Sequence, residues 1–394
     1  MKKIIIVLMI CIAIVGSVYF TQNSDFNLID KIIDLIDKSG DKYEAYSNDF
    51  KINELQLKNA TFHYDKLTKN QKIIYSNIAM SVKELNSKRK LVNYSETDET
   101  TIKQDISIAI NSFLKDHPEV FYIKPSYSII SERYLTNTVT YIEIFYTVEN
   151  MEELNTKILA IKDSLKEYDT KLTDKFEIER FLHDKLATQV KNYKNNIDDS
   201  IPDVYHSIEG SLLKKEAVCD GISKAMQLLL DRNNIESILI EGKLEDVAHA
   251  WLLVNIYDQW YHLDVTSDKY VKNDFKYTIA PAHTYFNVTT DFIKTTHSIN
   301  NEENYPICDS NTYNYFNYLD YSITEKDNFE YKLKKIVEKQ KDNNYLEFYC
   351  NQNIDIPKET LDVLYSINYN GYKTYNSNIN MNYYVKNGIY IITK

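Results

Sequence analysis

Glycine is scarce in this chain, with 7 in 394 residues. That argues against glycine-rich phosphate loops, and neither a dinucleotide-binding nor a P-loop fingerprint is present. Proline is nearly as rare, with 6, and no long Pro/Gly/Ser run marks a linker. Clustered positive charge is missing too. Lys and Arg number 46 against 57 Asp and Glu, a net charge of −11. This excludes nucleic acid as an expected partner, because phosphate neutralisation needs clustered Lys and Arg. The 8 histidines are scattered, with no HExxH and no paired-cysteine spacing. Neither a metal site nor a cofactor is therefore expected. No repeat recurs at a solenoid period.

Apolar residues make up 43% and charged residues 26%, the composition of a globular chain, and the length fits two or three domains. The N-terminus reads MKKIIIVLMICIAIVGSVYFTQNSDF, in which Lys2 and Lys3 precede an almost wholly apolar run over 4–20. This is the pattern of a secretion or anchoring signal. The run sits at the short end of the roughly 17–25 residues that span a bilayer. No small-x-small cleavage site follows, so an uncleaved anchor is favoured over a cleaved signal peptide, and both stay open. Bulky Met9 and Ile10 before Cys11 count against lipidation. With Lys2 and Lys3 held inside, the remainder faces the extracellular side, secreted or membrane-anchored. Disulfides are permitted there. Cys219, Cys308 and Cys350 are an odd set, so at least one is free or pairs between chains. A Cys308–Cys350 bridge and three reduced thiols are both open.

Residues 21–60 read as a polar, partly helical stalk, with DFNLIDKIIDLIDKSG stopped at Gly40. Residues 68–88 read as an amphipathic helix with Thr68 as N-cap, and 101–115 as another. SYSIISERY and TVTYIEIFYTV suggest a hairpin. Helical periodicity returns over 151–168 and 174–190. In the tail, EKDNFEYKLKKIVEKQ and KETLDVLYSIN read as helices, and YLEFYC and GIYIIT as strands.

The stretch KKEAVCDGISKAMQLLL, residues 214–230, puts Cys219 at the head of an apolar helical stripe formed by Ile222, Ala225, Met226, Leu229 and Leu230. A helix N-terminus offers free N–H groups and the positive end of the dipole, which favour thiolate over thiol and can bind an oxyanion. Taken alone, Cys219 fits a small buried hydrophobe as well as a nucleophile. The stretch downstream decides. In HAWLLVNIYDQWYHLDVTSD, residues 249–268, two β-rich runs flank Tyr257-Asp258, a two-residue hairpin loop. Pairing Ile256 with Gln259 puts Trp251 opposite Asp264 and His249 opposite Thr266. His249, Trp251, Asp264 and Thr266 then share one face, and Leu252, Val254, Leu263 and Val265 form a core on the other. His249 and Asp264 become diagonal neighbours at roughly 7–8 Å, within side-chain reach. A thiol needs a base, and a histidine base needs a group that fixes its tautomer. Cys219, His249 and Asp264 are those three residue types. Trp251 is either a wall of the substrate cleft or a plain core aromatic. His262 is expected at the surface, and His183 as a packing or capping residue.

These segments together resemble the transglutaminase-like superfamily, in a bacterial extracellular form. Strong similarity covers about residues 175–270, including FLHDKLATQVKNY and YHSIEGSLLKKEAVC. Weaker similarity, in LTKNQKIIY, DHPEVFYI and YPICDSNTYNYF, extends over about 65–320. The resemblance implies an α+β fold. Its papain-like core would have a Cys-bearing helix packed on an antiparallel sheet, with an N-terminal α/β region and a small C-terminal α+β appendage. The parts would be 1–21, signal or anchor; 22–170, helical and hairpin region; 171–300, catalytic domain; and 301–394, C-terminal region. It implies Cys219 as nucleophile, His249 as base and Asp264 as orienter, with Tyr205 or His206 near the oxyanion. Tyr205 and Trp251 are the expected substrate-binding residues. Three positions depart from the family pattern: Ile222 where an aromatic is common, Tyr257-Asp258 where Asp-Gly is common, and Ser267 where Trp is common. None is expected to touch the triad.

The expected activity is attack of Cys219 on an amide carbonyl to give a thioester, released by water (peptidase or amidase) or by a second amine (transamidation). Peptide or protein substrates, cell-wall peptides among them, fit the location. The rival is a non-catalytic binding or scaffolding module on the same fold.

Overall fold

The structure is a computed structural model. It describes residues 44–393 apart from 48–49, 59–60, 95, 97, 134–137, 195–199, 269–280, 344, 352, 355–381 and 387. The expected N-terminal signal, the helix predicted within 25–40 and the tail helix predicted over 358–368 lie outside the described residues. Among the described residues no helix is long and apolar enough to cross a membrane.

Elements follow the sequence pattern closely in the N-terminal part. Helix α1 (Lys69–Glu84) begins at Thr68, whose hydroxyl accepts the Gln71 N–H while the Gln71 side chain accepts the Thr68 N–H. Reciprocal capping of this kind satisfies two otherwise orphaned donors. Strand β1 (Lys88–Lys90), helix α2 (Glu99–Asp116) and strands β2 (Ile123–Arg133) and β3 (Thr138–Tyr146) come next, the strands ordered β1-β3-β2 with antiparallel pairings. Helix α3 (Met151–Leu165) follows, capped by Asn150. The predicted stalk is corrected by its second half. Tyr46, Phe50, Ile52, Leu55 and Leu57 are buried in the main core, so that stretch packs as part of the globule and gains the burial free energy of its apolar groups.

Helix α4 (Lys175–Gln189), capped by Asp174, leads to helix α5 (Cys219–Arg232). A four-stranded antiparallel sheet follows. It consists of β4 (Ser237–Leu244), β5 (Val247–Ile256), β6 (Gln259–Leu263) and β7 (His297–Ile299), in the order β6-β5-β4-β7. The side chains alternate as expected. Leu252, Val254 and Leu263 join the main core, which also holds Ile222, Ala225, Met226 and Leu229 of α5, while Trp251 and Leu253 face a second cluster with Ile238, Ile240, Tyr285, Val288 and Cys308. Both faces are thus buried. Ser223, one turn past Cys219, donates to the Ala250 carbonyl at 3.1 Å, next to His249. This bond fixes the sliding position of α5 on β5.

Gly242 of β4 sits between His249 of β5 and Ile299 of β7. A Cβ there would lie 1.8 Å from the Ser298 carbonyl oxygen and 2.9 Å from the Trp251 ring. Gly242→Ala is therefore expected to push β7 off the sheet and cost about 1–3 kcal/mol, the usual scale of overpacking. Thermal denaturation of the two proteins checks this, and an unchanged Tm would show that the strands can separate freely.

The chain closes with β8 (Ser322–Ile323), helix α6 (Phe329–Lys339), β9 (Tyr345–Cys350), β10 (Asn382–Lys386) and β11 (Ile389–Thr393). Their sheet runs β8-β9-β11-β10, with β8 and β9 parallel, so the α+β class holds in the tail as in the rest. The main core draws residues from Tyr46 to Ile391, crossing the part boundaries expected at 170 and 300. Cys219, Cys308 and Cys350 are all free thiols, the last two buried in separate clusters, so no Cys308–Cys350 bridge forms.

Candidate active site

Cys219 is the first residue of α5 and is partly exposed. Val218 before it contributes no side-chain cap, and among the first N–H groups of the helix that of Gly221 goes to the Asp220 carboxylate at 3.0 Å. The hairpin carrying the other two residues has the predicted register, Ile256 with Gln259 through Leu252 with Leu263. Its loop residues Tyr257 and Asp258 both have positive φ, 52° and 65°, the left-handed pair that a two-residue turn between twisted strands requires.

The pairing ends at Leu263, one residue short of Asp264. The Asp264 N–H goes instead to the Tyr285 carbonyl, and the Asp268 N–H returns to the Asp264 carbonyl. Thr266 therefore lies in a turn and is not opposite His249, as an uninterrupted strand would have it. The turn is built around the Asp264 carboxylate. Oδ1 accepts from the N–H groups of Thr266 and Ser267 at 3.0 and 3.1 Å. Oδ2 accepts from the Ser267 hydroxyl, from His249 Nε2 at 2.8 Å and from His297 Nε2 at 3.1 Å. Asp264 is fully buried. Burial alone would raise its pKa, but the two histidines and their hydrogen bonds hold it below the usual carboxylate range. An ionised carboxylate only accepts, so both histidines carry a proton on Nε2. For His249 this leaves Nδ1 for Cys219.

His249 is buried, which disfavours its charged form. The adjacent Asp264 charge and hydrogen bond outweigh that, Cys219 adds to the effect, and the imidazole is pushed up to about 10. Cys219, His249 and Asp264, which the sequence singles out, are thus brought together.

The two substrate-binding expectations fare differently. Trp251 has no exposed surface. Its ring lies nearly parallel to His249 at 5.9 Å and packs on His297 at 5.0 Å. A side chain without exposed area cannot wall an open cleft, so Trp251 is a plate beneath the histidines. Tyr205 is partly exposed and stacks on Tyr193 at 4.0 Å. Its carbonyl accepts the Val218 N–H at 3.0 Å, and Gly221 packs against that carbonyl, where a Cβ would sit 2.4 Å away. Tyr205 thus lies at the head of α5 with surface available. His206 is turned to Asp220 at 2.9 Å.

His262, expected at the surface, is buried. It accepts the Trp251 indole N–H on Nδ1 at 3.0 Å and lies 3.1 Å from Thr290 through Nε2. Burial first, and the nearby His297 second, push it down to about 3, so it is neutral and its tautomer is fixed. Ser267, expected to touch none of Cys219, His249 and Asp264, does touch Asp264, through its N–H and its hydroxyl, because the turn wraps around the carboxylate. His297 has no precursor signal in the sequence. It is a single histidine in a three-residue strand, 33 positions from Asp264, and only the closing of β7 on β4 brings it in. His249, Asp264 and His297 are also one of two groups among the described residues whose ligand atoms lie within 4.8 Å of one another. An ion there would take the His249 Nε2 position and break its bond to Asp264.

No family model matches the chain, and no curated protein matches it. Solved structures with local similarity include a TGase, at 12% identity and TM-score 0.26, covering 35% of this chain and 44% of that one. A proposed cysteine protease from Cytophaga hutchinsonii aligns at 13% identity and TM-score 0.23, covering 36% and 63%. A proposed protease from Parabacteroides distasonis aligns at 11% and 0.21, covering 36% of each chain. The similarity spans less than two thirds of each of these proteins.

Proposed function

We propose that this chain is a cysteine enzyme of the transglutaminase-like kind that acts on amide bonds through a thioester, at the outer face of the cell. The observation that carries the reading is the placement of His249 between the Asp264 carboxylate and Cys219, with its Nε2 proton committed to Asp264. Nδ1 accepts the Cys219 thiol proton, and the sulfur attacks an amide carbonyl carbon. The oxyanion is received by backbone N–H groups at the start of α5. His249 returns its proton to the departing amine, leaving the acyl group on Cys219. Water, deprotonated by His249, then releases the acid; a second amine in its place gives transamidation. Asp264 stays ionised throughout and holds the imidazolium. Tyr205, beside the cysteine with exposed surface, is the proposed substrate contact. The basic and apolar N-terminus supports an extracellular setting, and cell-wall peptides or surface proteins as substrates.

Alkylation by iodoacetamide at mildly acidic pH tests the site without a known substrate. Cys219 is expected to react much faster in the native chain than in the denatured one, with Cys308 and Cys350 protected by burial. Equal rates for Cys219 in the two states would favour the binding-module reading. Muropeptides, and a glutamine peptide with an added amine, then separate hydrolysis from transamidation, with Cys219→Ala as the blank.

A further inference from the structure

A second cluster of histidines plays no part in the proposed chemistry. His183 of α4 and His283 are 100 positions apart in the sequence, yet their rings come within 5.2 Å. Their facing nitrogens meet one oxygen. Asp184 Oδ1 lies 2.9 Å from His183 Nδ1 and 2.8 Å from His283 Nε2. The ligand atoms of His183, Asp184 and His283 all fall within 4.8 Å of one another.

The outer nitrogens also face carboxylates. His283 Nδ1 lies 2.7 Å from Glu347 Oε2, and Glu347 Oε1 accepts the His283 backbone N–H at 2.8 Å. His183 Nε2 has no hydrogen-bond partner and stands 3.5 Å from Asp268 Oδ2. His183, His283, Asp268 and Glu347 are fully or almost fully buried. Tyr315 lies flat on the His283 ring at 3.6 Å. Only the Asp184 side chain, 31% exposed, opens to solvent.

The tautomers make this arrangement informative. His283 has a carboxylate on each nitrogen, so a neutral ring can donate to only one of them and turns a bare lone pair to the other. With its N–H given to Glu347, which also accepts the His283 backbone N–H, the lone pair on Nε2 points at the Asp184 oxygen. His183 can meet Asp184 with its proton on Nδ1 or without it, because its Nε2 has no hydrogen-bond partner. A metal ion at Asp184 lets His283 keep both contacts without a charged imidazole in the interior. A histidine whose far nitrogen is backed by a carboxylate is the usual surrounding of a ligating imidazole, and His283 has that backing from Glu347 at 2.7 Å, while the carboxylate facing His183 Nε2, Asp268, stands 3.5 Å away.

We propose that His183 Nδ1, His283 Nε2 and the Asp184 carboxylate bind a divalent zinc ion, with water in the fourth position on the exposed Asp184 side. Two imidazoles and one carboxylate suit zinc, whereas calcium and magnesium take oxygen ligands and Cu(I) takes thiolates. Zinc–nitrogen bonds of about 2.0–2.1 Å set tetrahedral ligand atoms somewhat further apart than the contacts seen, which small ring rotations supply. Scattered histidines with no ligand motif hide such a site from sequence reading, because one ligand pair is adjacent on α4 and the third comes from beyond the sheet. The ion would clasp α4, the segment around residue 283 and, through Glu347, strand β9. Through Asp268 it would also brace the turn that begins at Asp264.

The test uses the full-length chain, purified in detergent without chelators or metal-affinity resin, with bound metal counted by mass spectrometry. About one zinc per chain is expected, and zinc added back to the EDTA-stripped chain should raise Tm. Asp184→Asn and His283→Gln should lose the ion, Glu347→Gln should weaken it by about 10–100-fold, and Asp264→Asn should keep it. Cobalt substitution of the wild-type chain gives a readout that needs no variant to fold: visible d–d bands without a sulfur charge-transfer band. A stripped chain whose Tm ignores zinc and which shows no cobalt bands would overturn the proposal. So would an ion retained by Asp184→Asn and lost by Asp264→Asn, or a sulfur band placing the metal on Cys219.

Discussion

Asp264→Asn is expected to lower turnover by about 10⁴-fold, the scale seen when an orienting carboxylate is replaced by an amide. The reason lies in the count of donors. Asp264 accepts five hydrogen bonds, from Thr266 N, Ser267 N, the Ser267 hydroxyl, His249 and His297. An asparagine NH₂ in the place of Oδ2 would face three of those donors. His249 could meet it only by giving up its Nε2 proton, which moves the proton to Nδ1, the nitrogen that must receive one from Cys219. The wrong tautomer is inert as a base even with the geometry intact. The substrate-free readout is Cys219 alkylation at mildly acidic pH, which should fall to the rate of the denatured chain. Retention of fast alkylation in Asp264→Asn would remove Asp264 from the proposed mechanism.

The same substitution has a signature in stability against pH. His249 is raised in the folded chain to about 10, above its usual value near 6.5. A group that gains proton affinity on folding contributes fully below its unfolded value, and the contribution is lost as pH rises through the folded one. Wild-type stability should therefore decline between roughly pH 6.5 and 10 from this source. Asp264 works in the opposite sense: held below the usual range, it stabilises above its unfolded value and loses that contribution in acid. Urea denaturation across pH should show the alkaline decline flattened in Asp264→Asn, since the charge that raises His249 is gone.

How much of this could be read from the sequence depends on what kind of order each part uses. Local periodicity locates α1, α2, the β2–β3 hairpin, α3, α4, α5 and β9, because each has one face committed to a core, and α1 has in Thr68 a recognisable start as well. The β5–β6 register was legible because a two-residue loop leaves one alignment of the apolar face. That register carries His249 and places Asp264 near it. The turn after Leu263 was not legible. The ladder stops there because Asp264 spends its backbone N–H on Tyr285, a residue from a distant segment. The same distance hides His297, His283 and the burial of His262. Each depends on where the segment from about 281 to 308 folds, which the local alternation of β5 and β6 does not record. The sequence leaves Trp251 either a cleft wall or core, and only that covering segment decides for core.

Trp251→Ala is the substitution expected to cost most in stability, about 3–5 kcal/mol, as for other buried large aromatics. The ring is fully buried and touches three histidines at once, His249, His297 and His262. Its removal opens a cavity directly beneath the site, and the indole N–H that holds His262 Nδ1 is lost with it. Trp251→Phe separates the two effects. The phenyl ring keeps much of the packing while His262 loses its donor, so the loss should be nearer the ~1–3 kcal/mol of one buried unsatisfied acceptor. Denaturant titrations of the three proteins measure both. Equal losses for Ala and Phe would mean that the hydrogen bond, and not the plate, secures this face. A loss under about 1 kcal/mol for Ala would mean the segment over Trp251 closes the cavity readily. If the plate matters, Cys219 alkylation should slow in Trp251→Ala even where the chain is still folded, because His249 would then have Asp264 to orient it and nothing underneath to hold its plane.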